Sequence, residues 1–95
     1  MTDRFFTAIY IKGVIMRLDK FLKVSRILKR RTVAADACDM GKVSVNGRPS
    51  KPGHKLKEGD VVEIEFASGS LKFRVIGLNE KAKKEEASNL YEIVE

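Results

Sequence analysis

The chain is expected to fold as an α+β domain, a two-helix hairpin packed on a small, mostly antiparallel β-sheet. Two observations point there. Apolar residues recur at helical spacing between residues 17 and 40, then at a spacing of two from residue 43 onward. Turn signals separate the alternating segments: Asn46-Gly47, Pro52-Gly53 and Gly59-Asp60.

The first helix is read in "RLDKFLKVSRIL", where Leu18, Phe21, Leu22 and Ser25 share one face and Lys20 and Lys23 point to the other. Arg17 stands at its start. The second helix has Val33, Ala34, Ala37 and Met40 as its apolar stripe, with Asp36 and Asp39 outside it and Gly41 as a left-handed end. Its small alanines allow close packing on the first helix. In "KVSVNGRPS", Val43 and Val45 alternate with polar neighbours and run into Asn46-Gly47, a hairpin signal. "KPGHKLKEGD" is a turn-rich connector. "VVEIEF" directs Val62, Ile64 and Phe66 to one face, and "LKFRVIGL" does the same with Leu71, Phe73 and Val75. "KAKKEEASN" reads as a solvated turn or short helix, and "LYEIVE" as a strand that closes the sheet.

A chain of 95 residues makes one small domain. A domain of this size buries about 60–65% of its unfolded surface, which leaves little room for a deep catalytic cleft beside the core. The net charge is +6 with a pI near 9.6, so an acidic partner is expected. The charge is also divided. Residues 17–57 hold 12 Lys and Arg against 3 Asp and Glu, whereas residues 58–95 hold 5 against 9. Such a division marks a directed surface.

Residues 1–15 break from this pattern. Their apolar run is interrupted by Lys12 and Gly13 and lacks a small-residue cleavage site, so neither a signal peptide nor a membrane span is expected. They are either a start upstream of the true one at Met16 or an added arm, dispensable for a domain spanning residues 16–95. The basic hairpin has no spare apolar face to insert into lipid, and no membrane partner is expected.

The stretch "LKRRTVAAD" places Lys29, Arg30 and Arg31 at a helix amino terminus, where partial positive charge disfavours cations and where Ser, Asp or Asn is the usual cap. A phosphate resolves the conflict: free helix N–H groups and arginine forks together form an anion site. On this reading Arg30 and Arg31 serve binding, and alanine at both positions leaves the fold intact or slightly more stable. Arg17, Lys20, Lys23, Lys42, Arg48, Lys51 and Lys55 extend the basic surface.

Catalysis has no constellation. Cys38 lies near the edge of the second helix's stripe and reads as core, and Asp19 reads as a helix-start residue rather than a general base. His54 has no Cys or His cluster around it. No catalytic residue, cofactor or metal is expected.

The run "MRLDKFLKVSRILKRRTVAADACDMGKVSVNGRPSKPGHKLKEGDVVEI" resembles the S4-type RNA-binding domain, also called the αL motif. The resemblance rests on Arg-Leu-Asp-Lys, the basic pair before an alanine-containing helix, Gly-x-Val-x-Val-Asn-Gly, and a later Gly-Asp before a strand. It implies RNA contacts by Arg17, Lys20, Lys23, Lys29, Arg30, Arg31, Lys42, Asn46, Arg48 and Lys51. Arg30 departs from the pattern, since many members carry a capping Ser or Thr there. Within the family the chain is most similar to short stand-alone members of bacterial ribosome-associated quality control. That likeness implies a cytoplasmic protein, monomeric when free, that binds 23S rRNA and tRNA on obstructed large ribosomal subunits. There it would support an RqcH-type factor that adds alanine tails. The alternatives are a heat-shock-type S4 protein that recycles large subunits carrying peptidyl-tRNA, or a general rRNA-binding factor.

Overall fold

A computed structural model of the chain describes residues 15–79 and 82–94, and the reading of residues 1–14 lies outside them. The elements run β1 (Met16–Arg17), α1 (Leu18–Val24), α2 (Arg31–Asp39), β2 (Val43–Val45), β3 (Arg48–Pro49), β4 (Lys55–Leu56), β5 (Val61–Phe66), β6 (Gly69–Val75), a 3₁₀ segment (Lys84–Leu90) and β7 (Tyr91–Ile93). The strands β3-β2-β5-β6-β7 form one antiparallel sheet, and β1 pairs with β4 apart from it. The α+β expectation holds.

α1 buries Leu18, Phe21 and Leu22, as its spacing requires. No side chain caps its start; instead the N–H groups of Leu18 and Asp19 donate to the carbonyls of His54 (2.8 Å) and Pro52 (3.1 Å). The connector that looked like a mere turn therefore folds back as β4, with Met16 opposite Leu56, and closes the first turn of α1. The helix ends at Val24, short of the apolar run that continues to Leu28. Arg26 takes φ +63, a left-handed conformation that turns the chain while Ile27 and Leu28 still pack on the core.

α2 shows a rotated stripe. Ala34 and Cys38 are buried and Ala37 partly so, while Val33 is 47% exposed and Met40 66% exposed. Ala34, Ala37 and Cys38 stand at i, i+3 and i+4, a narrow face of small side chains that lets the two helices approach closely. The larger Val33, one position before Ala34, and Met40, just past the last helical residue, lie outside that face. Cys38 lies at its centre rather than its edge. Gly41 ends the helix as expected, with φ +74: its N–H donates to Cys38 and that of Lys42 to Ala37, both at 3.0 Å, the paired bonds of a Schellman end.

Asn46 (φ +53) and Gly47 (φ +85) make the two-residue turn between β2 and β3. β5 pairs over its full length with β6, from Val61↔Arg74 to Phe66↔Gly69. Val62, Ile64, Phe73 and Val75 point into the core, but Phe66, in the last pair of the hairpin, is 40% exposed. Phe21 of α1 stacks on Phe73 at 6.1 Å between centroids, and Tyr91 of β7 meets Phe73 edge-on at 5.4 Å. The 3₁₀ segment buries Ala87 and Leu90, and the Leu90 carbonyl accepts from Ile76 and Gly77, which fixes the last strand. One layer of helix rests on one face of the sheet. The other face carries cross-strand charge partners, Glu63 opposite Lys72 and Arg74 bonded to Glu92 at 2.6 Å.

Candidate nucleic-acid interface

The starts of α1 and α2 meet. Arg17, just before α1, forks onto Asp19: its Nε donates to Oδ1 at 3.3 Å and its Nη2 to Oδ2 at 3.2 Å. Arg31, the first residue of α2, brings its Nε to within 3.4 Å of the same Oδ2. The backbone N–H of Lys20 donates to Oδ1 at 2.7 Å. Asp19 is thus a buried carboxylate, with 6% of its side chain exposed, while 54% of the Arg17 side chain and 45% of the Arg31 side chain face solvent. A buried charge persists only when paired and hydrogen-bonded, and here two guanidinium groups and a backbone N–H meet that condition.

This arrangement answers part of the conflict at residues 29–31. Arg31 has an internal anion to neutralise it, so its role is structural as well as exposed. Arg30 is the N-cap in extended geometry and makes no capping side-chain bond, so the missing cap is real. Lys29 and Arg30 remain exposed beside the first N–H groups of α2.

Several of the remaining basic residues fall into two neighbourhoods. Arg48 and Lys51, with Asn46, Pro49, Ser50 and His54, line an open depression between the β2–β3 turn and the turn that caps α1. The Arg17 guanidinium lies over that second turn, its Nη2 being 3.7 Å from where a Cβ on Gly53 would stand. The Arg17–Asp19–Arg31 cluster thus borders the turn whose His54 lines the depression. On the other side, Lys23 and Lys29 line a second depression with Arg26, Val24, Leu28 and Ala82. Lys20 lies in the first turn of α1, and Lys42 follows the end of α2 as an exposed side chain.

Asn46, an exposed residue, also has a role inside the fold. Its Nδ2 donates to Asp60 Oδ1 at 3.1 Å, and its Oδ1 accepts from the Val61 N–H at 3.0 Å, so its amide ties the hairpin to the start of β5. Sequence reading passed over Asp19, Arg26 and His54 as members of this surface. An acidic residue beside the buried face of a helix and two positions after an arginine was the available signal for the first of them.

Cys38 is buried among the core side chains. Burial, and then the carboxylates of Asp19 and Asp39, push its thiol up to about 11. Among the described residues, no three His, Cys, Asp or Glu side chains are placed to hold a metal ion, and no helix is long and apolar enough to cross a membrane.

Two short helices meeting start to start beside a basic hairpin define an S4-domain protein, and the S4 domain model matches residues 16–62. Similarity extends further along the chain. The RQC P-site tRNA stabilizing factor of Halalkalibacterium halodurans is 49% identical over 78 residues, 82% of this chain and 89% of that protein. That of Streptococcus pneumoniae is 49% identical over 79 residues, 83% and 90% respectively. The chain belongs to the family of RQC P-site tRNA stabilizing factors. Among solved structures, trimeric heat shock protein 15 of Vibrio cholerae superposes with a TM-score of 0.78 at 26% identity, covering 84% of this chain and 82% of that one.

Proposed function

We propose that this protein binds RNA on obstructed large ribosomal subunits in the bacterial cytoplasm. There it contacts 23S rRNA and the P-site tRNA and supports an RqcH-type factor that adds alanine tails to stalled chains. The observation that carries the reading is the junction of the two helix starts, where Arg17 and Arg31 stand exposed beside Lys29 and Arg30 on one surface. Double-helical RNA is recognised mainly through its phosphates and its shape, and exposed cations at helix starts suit that chemistry. Lys20, Lys23, Lys42, Arg48 and Lys51 extend the contact on both sides of the junction, and binding releases counterions from the RNA. The surface binds and positions; no group in it is arranged for catalysis.

Crosslinking in cells followed by sequencing of bound RNA tests this directly. Reads concentrated in 23S rRNA and tRNA are expected, and reads spread over messenger RNA overturn the reading. Loss of alanine tails in cells lacking the protein separates it from the second reading. In that reading a heat-shock-type protein recycles large subunits with peptidyl-tRNA, a role favoured by the superposition on heat shock protein 15. Recycling predicts that tailing continues without the protein. The free chain is proposed to be a monomer, measured by light scattering.

A further inference from the structure

We infer that Asp19 is a positioning residue for RNA recognition: its buried carboxylate holds the Arg17 and Arg31 guanidinium groups in one fixed arrangement for the ribosomal target. This rests on the RNA-binding reading above and adds to it an acidic residue that charge alone would count against binding.

The geometry supports the role in three ways. First, one carboxylate serves two arginines from two different elements, Arg17 of β1 and Arg31 of α2, at 3.2 Å and 3.4 Å from a single oxygen. The spacing of the two forks is thereby set by the fold rather than by long flexible side chains. Second, Asp19 itself cannot swing away. The Lys20 N–H holds its Oδ1, and its own backbone N–H is bonded to Pro52. Third, the pairing leaves binding capacity. Arg17 spends two of its five N–H donors on Asp19 and keeps about three for a partner. Side chains ordered before binding lose less freedom on binding, so the same contacts give higher affinity for a target that matches their spacing.

Positioning and simple electrostatics predict opposite signs, which makes the inference testable. Asp19→Asn adds one unit to the net positive charge. If charge alone governs, every polyanion is bound more tightly. If Asp19 positions the forks, the variant binds a featureless polyanion as well as or better than wild type but loses affinity for the structured target. The probes are poly(U) and purified large ribosomal subunits, compared by salt-matched titration well below the melting midpoint of each protein. We expect unchanged or tighter poly(U) binding and about tenfold weaker subunit binding. Tighter binding to both, or equal weakening on both, overturns the inference. A wild type that fails to prefer subunits over poly(U) overturns the RNA-target reading and this inference with it. A second measurement needs no variant: in free wild type, the Nε–H resonances of Arg17 and Arg31 should be sharp and slow to exchange. Fast exchange at both overturns the fixed arrangement.

Discussion

Asp19 Oδ2 and Arg31 Nε stand 3.4 Å apart, joining the first turn of α1 to the first residue of α2. The pair explains why a cation is tolerated at a helix start that lacks both an acidic residue in its first turn and a capping side chain. The cost of a positive charge there is ordinarily a few tenths of a kcal/mol, and a buried anion within reach offsets it.

Arg30→Ala and Arg31→Ala should therefore behave differently, although sequence reading treated them alike. Arg30 makes no capping bond and is exposed, so its removal should leave the melting midpoint unchanged or slightly raised. Arg31→Ala removes one of two guanidinium groups from Asp19. Because Arg17 and the Lys20 N–H remain, the loss should be about 1 kcal/mol or less, or roughly 4–8 °C per kcal/mol for a domain of this size. Both variants should bind large subunits more weakly in co-sedimentation. Equal melting midpoints for the two would contradict the structural role of the ion pair.

Asn46 gives the second prediction. Asn46→Ala loses the bonds to Asp60 and Val61 and places alanine at a positive φ. Leaving buried Asp60 without one of its donors should cost about 1–3 kcal/mol. Asn46→Gly keeps the turn conformation but loses the same two bonds, so it should fall between wild type and alanine. Denaturant midpoints measure both. An alanine variant as stable as wild type would show that the amide bridge contributes nothing.

How legible all this was depended on the range of the interaction. The buried face of α1, Val62 and Ile64 of β5, the Gly41 end and the Asn46-Gly47 turn follow from local spacing and backbone preference, whereas Phe66, on the same side of β5, is exposed at the hairpin end. Of the stripe expected on α2, Ala34 and Ala37 do face the core, whereas the bulkier Val33 and Met40 are exposed and Cys38 joins the buried face. Close helix approach selected the small residues instead. β1 and β4 were not seen, since two-residue strands carry no alternation and arise from contacts across the chain. The Asp19 cluster is legible only in half: Arg17 stands two residues from Asp19, but only the fold brings Arg31 to the same carboxylate.

Salt dependence supplies the third prediction. If the surface from Arg17 to Lys51 neutralises about five to eight phosphates, log affinity for structured RNA should fall against log salt with a slope of roughly −4 to −7. Deleting residues 1–15 should change neither that slope nor the melting midpoint. The cut must spare Met16, which is buried and pairs with Leu56. A slope near zero would remove the phosphate-contact reading of the surface.

Cys38 allows a prediction about pH. Its thiol is pushed up to about 11 in the folded chain, by burial first and by Asp19 and Asp39 after it. An unfolded cysteine titrates near ~8.5. Between these values the unfolded chain has released a proton that the folded chain retains, so unfolding gains favour as pH rises. The contribution of Cys38 to stability is full below about pH 8.5 and declines through pH 11, by at most about 3 kcal/mol. Lysines and tyrosines titrate in the same range, so the quantity to measure is the difference between wild type and Cys38→Ala. That difference should shift steadily against wild type from pH 8.5 to pH 10.5. Alkylation provides an independent check: at pH 7.5 the folded protein should react far more slowly than the same chain in denaturant. Rapid labelling of the folded protein, or a stability difference flat across that range, would mean that the thiol is neither buried nor perturbed as the fold requires.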